Sequence, residues 1–193
     1  GFAATADSLA STVERVGALD AVVVALAGDA AISGATADWT GALAAHAGIV
    51  EQIHADASWV RAVADYAARA ERPVRLVTLT DATTAGGRSR AQASAQLARS
   101  ARGATDDRVA AFAVSIETPD AGDAHSVAGL AAHLLCSPDT PALSGAELVT
   151  GSGWFGLRSH PRPSASITYG GPAIPDWLDG TLCSIVGTSG PRG

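Results

Sequence analysis

The sequence predicts an α/β domain with a mostly parallel sheet, and three observations carry that prediction. The apolar runs at 19–28 and 109–116 are continuous rather than alternating, as in strands covered on both faces. They alternate along the chain with stretches of helical spacing and composition. The chain's 193 residues, 47% of them hydrophobic, suffice for one core and do not call for two.

Residues 7–16 place Leu9, Val13 and Val16 at helical spacing, and Gly17 ends that helix. The first strand is 19–28, followed by a loop to Ala37. Asp38 is a good N-cap for a helix whose stripe begins at Trp39 and Leu43 and continues through Ile49, Val50 and Ile53. A break is expected near Asp56, with the pattern resuming at Trp59, Val60, Val63, Ala64 and Ala67. Pro73 stops it, and 74–80 is the second strand. Small residues at 83–87 lead to a helix over 89–102, with Gly103 as its C-cap. The third strand is 109–116, the last helix 125–135, and a short fourth strand, 146–150, lies between Gly145 and Gly151. From Trp154 onward, Pro161, Pro163, Pro172 and Pro175 interrupt any regular pattern. The expected division is therefore a body over 1–153 and a Pro/Gly-rich tail or arm over 154–193. Trp154, Phe155, Ile174, Trp177 and Leu178 would anchor that tail on its own body or on another subunit.

Composition narrows the partners. Only 17% of residues are charged, so the surface is padded with small side chains and is poor at repelling neighbours. The net charge of −6, with all 13 basic residues Arg and scattered, disfavours nucleic acid. The absence of Lys removes Schiff-base chemistry. Cys136 and Cys183 have no CxxC neighbour, which excludes a structural zinc site and leaves a disulfide between them open. His46 and His54 flank Glu51, and His125 and His133 repeat their spacing, but neither pair has a third ligand, so no metal is expected. No run approaches a membrane span or a signal peptide, so a cytoplasmic protein without a membrane partner is expected. A chain that opens at Gly1 without Met leaves room for residues before it in the native protein.

Four segments in succession resemble the C-terminal two thirds of a short-chain dehydrogenase/reductase. Ala25-Leu26-Ala27-Gly28 stands where that family's strand ends in Asn-Asn-Ala-Gly. Residues 39–46 match the helix whose last position is the family's catalytic Asn, here His46. Residues 108–115 resemble the strand that usually reads Arg-Val-Asn-x-Val-x-Pro-Gly, and 134–149 follow the closing helix, loop and strand. The resemblance implies a Rossmann-like three-layer fold lacking the first nucleotide-binding β-α-β unit.

It also implies where chemistry has been lost. The family's catalytic Ser falls at Thr80 or Asp81, and its Tyr-x-x-x-Lys should fall between Gly87 and Ser94, where neither Tyr nor Lys occurs. The proton donor and the cation that tunes it are both missing. The remaining catalytic candidates are His46, Thr80 and Asp81. Gly28 is the one implied cofactor contact, and Arg88, Arg90 and Ser94 are candidates for holding an anionic ligand. Gly151-Ser152-Gly153 follows the last strand and has the wrong spacing for a nucleophile elbow. Tyr66 and Tyr169 read as packing residues.

These features predict a degenerate short-chain dehydrogenase/reductase-like domain serving mainly in assembly. It resembles the inert companion domain of two-domain ketoacyl reductases, and a homo-oligomer or a second reductase chain or domain is the expected partner. One alternative is a fragment or subunit of an NAD(P)-dependent reductase of carbonyl or 3-oxoacyl substrates. Another is a small-molecule or acyl-ligand binding module. No cofactor is expected on this chain alone, with NAD or NADP entering only in a composite or longer protein.

Overall fold

The computed structural model describes residues 1–26, 38–118 and 123–158, and isolated positions between 173 and 184. The chain divides into two compact units, Gly1–Arg158 and Ser159–Gly193. In the second, the described hydrogen bonds are Leu178 N–H to the Pro175 carbonyl, and Thr181 N–H and Thr181 Oγ1 both to the Trp177 carbonyl. The remaining description concerns the first unit.

Its elements are α1 (Phe2–Val16), β1 (Ala21–Ala25), α2 (Trp39–Ala44), α3 (Ile49–Ala70), β2 (Val74–Asp81), α4 (Ala85–Ala104), β3 (Val109–Ile116), α5 (Asp123–Cys136), a 3₁₀ turn (Thr140–Leu143), β4 (Glu147–Gly151) and β5 (Trp154–Arg158). The strands lie in the order β1-β2-β3-β4-β5. The first four are parallel, and β5 returns antiparallel to β4.

Alternation of side chains sorts each buried strand between two cores. Leu76, Ala111 and Ala113 face α3 and α4 with Val63, Ala67, Ala95 and Ala98. Val77, Phe112, Val114 and Leu148 face α5 through Ala131 and Leu134. The result is helix, sheet and helix in three layers, as predicted. Alanines on both α4 and β3 carry the first core, so this helix and sheet approach closely and tolerate little added volume. Arg75 ties the second layer down: its Nη1 donates to the carbonyls of Leu134 and Ser137 at 3.1 and 2.6 Å, capping the end of α5.

Three local expectations are corrected. The break in the long helical stretch falls at 45–48, where Gly48 takes φ 73°, and not at Asp56, which is inside α3 and 1% exposed. Gly103 does not close α4, because Thr105 takes over the capping. Its hydroxyl donates to the Ala101 carbonyl at 2.7 Å and accepts from Val109 N–H at 3.1 Å. Residues 154–158, read from sequence as the start of the tail, form β5 on the sheet. Ser152 and Gly153, the latter at φ 75°, make the hairpin turn that returns the chain. Arg158 then fixes β5 by pairing with Glu117 and approaching the buried Glu147 at 3.6 Å.

Candidate functional site

Open α/β sheets place ligands beyond the carboxyl ends of their strands. Here that end is formed by Leu26 after β1, Asp81 at the end of β2 with Thr83 after it, Glu117 after β3, the turn between α2 and α3, and the first turns of α4. The residues singled out from sequence separate into a buried group and a surface group.

Thr80, Arg90 and Ser94 form the buried group, at 1%, 1% and 2% exposure. The residue that joins them is Asp56. Arg90 donates to it through Nε at 2.7 Å and Nη2 at 2.8 Å, and Ser94 Oγ donates at 3.4 Å. Thr80 Oγ1 lies 3.4 Å from Ser94 Oγ, and Arg90 Nη1 reaches the Leu26 carbonyl at 3.3 Å. The network therefore ties Leu26, just after β1, to β2, α3 and α4. Arg90 has an internal carboxylate as its partner, and a guanidinium keeps its proton near neutral pH, so this group holds structure and cannot relay a proton through Arg90.

His46, Asp81 and Arg88 form the surface group. Asp81 Oδ1 accepts from Thr83 N–H at 2.9 Å and from Thr83 Oγ1 at 2.7 Å, closing the turn into α4. Thr84 then caps the helix, accepting from Gly87 N–H at 3.0 Å. Arg88 is exposed and donates to the Thr83 carbonyl at 3.3 Å. His46 is half-buried in the α2–α3 turn. Its Nδ1 lies 2.7 Å from the Ala42 carbonyl and its Nε2 3.0 Å from Ser89 Oγ. Gly28 lies outside the described residues.

Two participants escaped the sequence reading. Asp56 carried a signal: it falls on the stripe Ile49, Ile53, Val60, Val63 and Ala67, while Arg90 shares the inner face of α4 with Ala98 and Ala101. Opposite charges on the apolar stripes of two helices ask to be paired. Ser89 carried none, since its partner lies 43 positions away.

The described turn between β2 and α4 is a poor fit for a phosphate. It already gives the Thr83 amide to the Asp81 carboxylate, which would repel a phosphate. No group of three or more His, Cys, Asp or Glu side chains among the described residues could hold a metal ion, and no described helix is long and apolar enough to cross a membrane.

Comparison with protein-family models and with curated protein sequences finds no match. Among solved structures, a short-chain dehydrogenase from Mycobacterium avium is similar to this chain. It superposes with a TM-score of 0.72 at 16% sequence identity, over 100% of this chain and 72% of that one. The likeness lies in the backbone path rather than in side chains: this chain has the Rossmann-like fold of a short-chain dehydrogenase.

Proposed function

We propose that the protein is a degenerate short-chain dehydrogenase/reductase-like domain whose main role is assembly with further copies of itself. The observation that carries this reading is the last strand. Among the described residues β5 borders the sheet, and along it Trp154, Phe155 and Leu157 are 44%, 56% and 63% exposed. An edge strand in an otherwise well-packed protein is normally blunted by charge, and one bearing large apolar side chains is suited to being covered by another chain. Loss of carbonyl chemistry supports the same reading. Across 87–94 no side chain is a phenol or an ammonium, and Arg90 and Ser94 are turned inward onto Asp56.

Native mass spectrometry of the purified protein tests the proposal. Assemblies of 19.2 kDa subunits are expected at micromolar concentration, with no retained nucleotide and no consumption of NADH or NADPH with carbonyl or 3-oxoacyl substrates. Phe155→Glu combined with Leu157→Glu is expected to shift the population to monomer while leaving the circular dichroism spectrum intact. A monomeric parent protein would overturn the proposal, as would an assembly indifferent to the double substitution.

A second reading, a subunit of an NAD(P)-dependent reductase, draws on the opposite border. Val23 of β1 is 46% exposed, and β1 has no strand on its outer side among the described residues. A partner polypeptide that supplies the nucleotide site would pair there. Co-purification of a second chain or of a nucleotide mass in the same experiment would favour it.

A further inference from the structure

We infer that Ser89 and His46 form a nucleophile–base pair able to accept an acyl group from an ester. The inference rests on a tautomer that the surroundings dictate. The Ala42 carbonyl, 2.7 Å from His46 Nδ1, can only accept a hydrogen bond, so Nδ1 carries the proton. In the neutral ring Nε2 then holds the free lone pair, and Ser89 Oγ, 3.0 Å away, donates its hydrogen to it. This is the arrangement an activated serine requires: a hydroxyl bonded to a basic nitrogen, with the far side of the ring held by a fixed acceptor. A backbone carbonyl here takes the orienting role that a carboxylate has in other triads.

Placement agrees with use. Ser89 and His46 are both half-buried, so reagents can reach a pair that stays packed, and both lie at the carboxyl end of the sheet. His46 enters from the α2–α3 turn and Ser89 from the second turn of α4. Close packing holds these elements together, since a Cβ on Gly86 would come closer than 3.0 Å to the Ala45 carbonyl oxygen. The reaction balances with water as co-substrate. Ser89 Oγ bonds to the ester carbonyl carbon as its proton passes to Nε2. The ester C–O bond then breaks, and Nε2 returns the proton to the leaving alkoxide. Water, deprotonated by the same nitrogen, releases the acid and restores the serine.

The test is independent of assembly. The whole protein is treated with a fluorophosphonate and, separately, with 4-nitrophenyl acetate, and the modified peptide is sequenced by mass spectrometry. One label per chain is expected, on Ser89. Ser100, exposed on the same helix and without a hydrogen bond to a histidine among the described residues, should remain unmodified. Ser89→Ala should abolish labelling, and His46→Gln should slow it by about 100-fold, the lower end of what a positioned general base contributes. Circular dichroism confirms that each variant is folded. Absence of label, label at another serine, or an unchanged rate in folded His46→Gln would overturn the inference. The site assignment in the parent protein decides the matter even if a variant fails to fold.

Discussion

Asp56→Ala is expected to destabilise the first unit by about 3–5 kcal/mol, the cost of removing one partner from a buried ion pair. Total stabilities of domains this size run from about 5 to 15 kcal/mol, so the change takes a large share of what holds the fold. Arg90 is 1% exposed, and its two bonds to Asp56 are its closest contacts with an acceptor. Without the carboxylate, a guanidinium that cannot lose its proton is left in the core with one long bond to the Leu26 carbonyl. Urea denaturation measures the loss, and the melting temperature should fall by roughly 10–15 °C. Asp56→Leu combined with Arg90→Leu separates the charge from the volume: with both ions gone, stability should return to within about 1 kcal/mol of the parent. A single substitution costing under about 1 kcal/mol, or a double one as damaging as the single, would show that the pair does not anchor this core. Because Arg90 also holds the end of β1, hydrogen exchange in Asp56→Ala should accelerate there before it does in β3.

The strands inside the sheet were the most legible part of the fold, and burial on both faces is the reason. Residues 74–81 and 109–116 have no polar side to disguise their apolar character, and they are found within a residue of their predicted limits. Elements at the border of the sheet were less so. β5 has five residues, one of them Gly, amid a Pro-rich stretch, and pairing with β4 makes it a strand rather than any pattern of its own. The beginning of α1 was hidden for a similar reason. Its first turn is mostly small residues, and what secures it is Phe2 packed against the first core with Arg61 4.4 Å above its ring.

Legibility of the candidate site followed the same division between local and distant causes. Resemblance pointed to His46, Thr80 and Asp81 because each stands at the end of an element whose succession is recognisable. Side-chain direction was not legible. Thr80 and Asp81 are neighbours on one strand, yet alternation sends Thr80 into the core and leaves Asp81 in the turn. Asp56 was misread because an acid inside a helix looks like a break when its partner lies 34 residues on. Ser89 could not be found at all until α4 was set against the α2–α3 turn.

Gly87→Ala should destabilise the protein by about 2 kcal/mol or more, although helix propensity alone favours Ala over Gly by about 0.8–1 kcal/mol. The sign is the test. A Cβ at Gly87 would come closer than 3.0 Å to the carbonyl oxygen of Asp81, and a backbone atom cannot move aside by changing rotamer. The first turn of α4 must therefore draw back from the end of β2, which removes the bond from Gly87 N–H to Thr84 and disturbs the turn held by Asp81. The same contact bears on the proposed loss of carbonyl chemistry. Of the four registers in which a Tyr-x-x-x-Lys could occupy 87–94, the one starting at Gly87 has no room for any side chain. The one starting at Arg88 points both residues to solvent, and the one starting at Arg90 buries both. Only the register of Ser89 and Ala93 leaves both half-buried, and there the hydroxyl of Ser89 meets His46. Urea denaturation gives the stability change, and fluorophosphonate labelling under native conditions reads the position of α4. In folded Gly87→Ala, Ser89 should label more slowly than in the parent, because retreat of the helix lengthens the Ser89–His46 bond. A more stable variant with unchanged labelling would mean that helix propensity outweighs the contact and that α4 is free to move at its start.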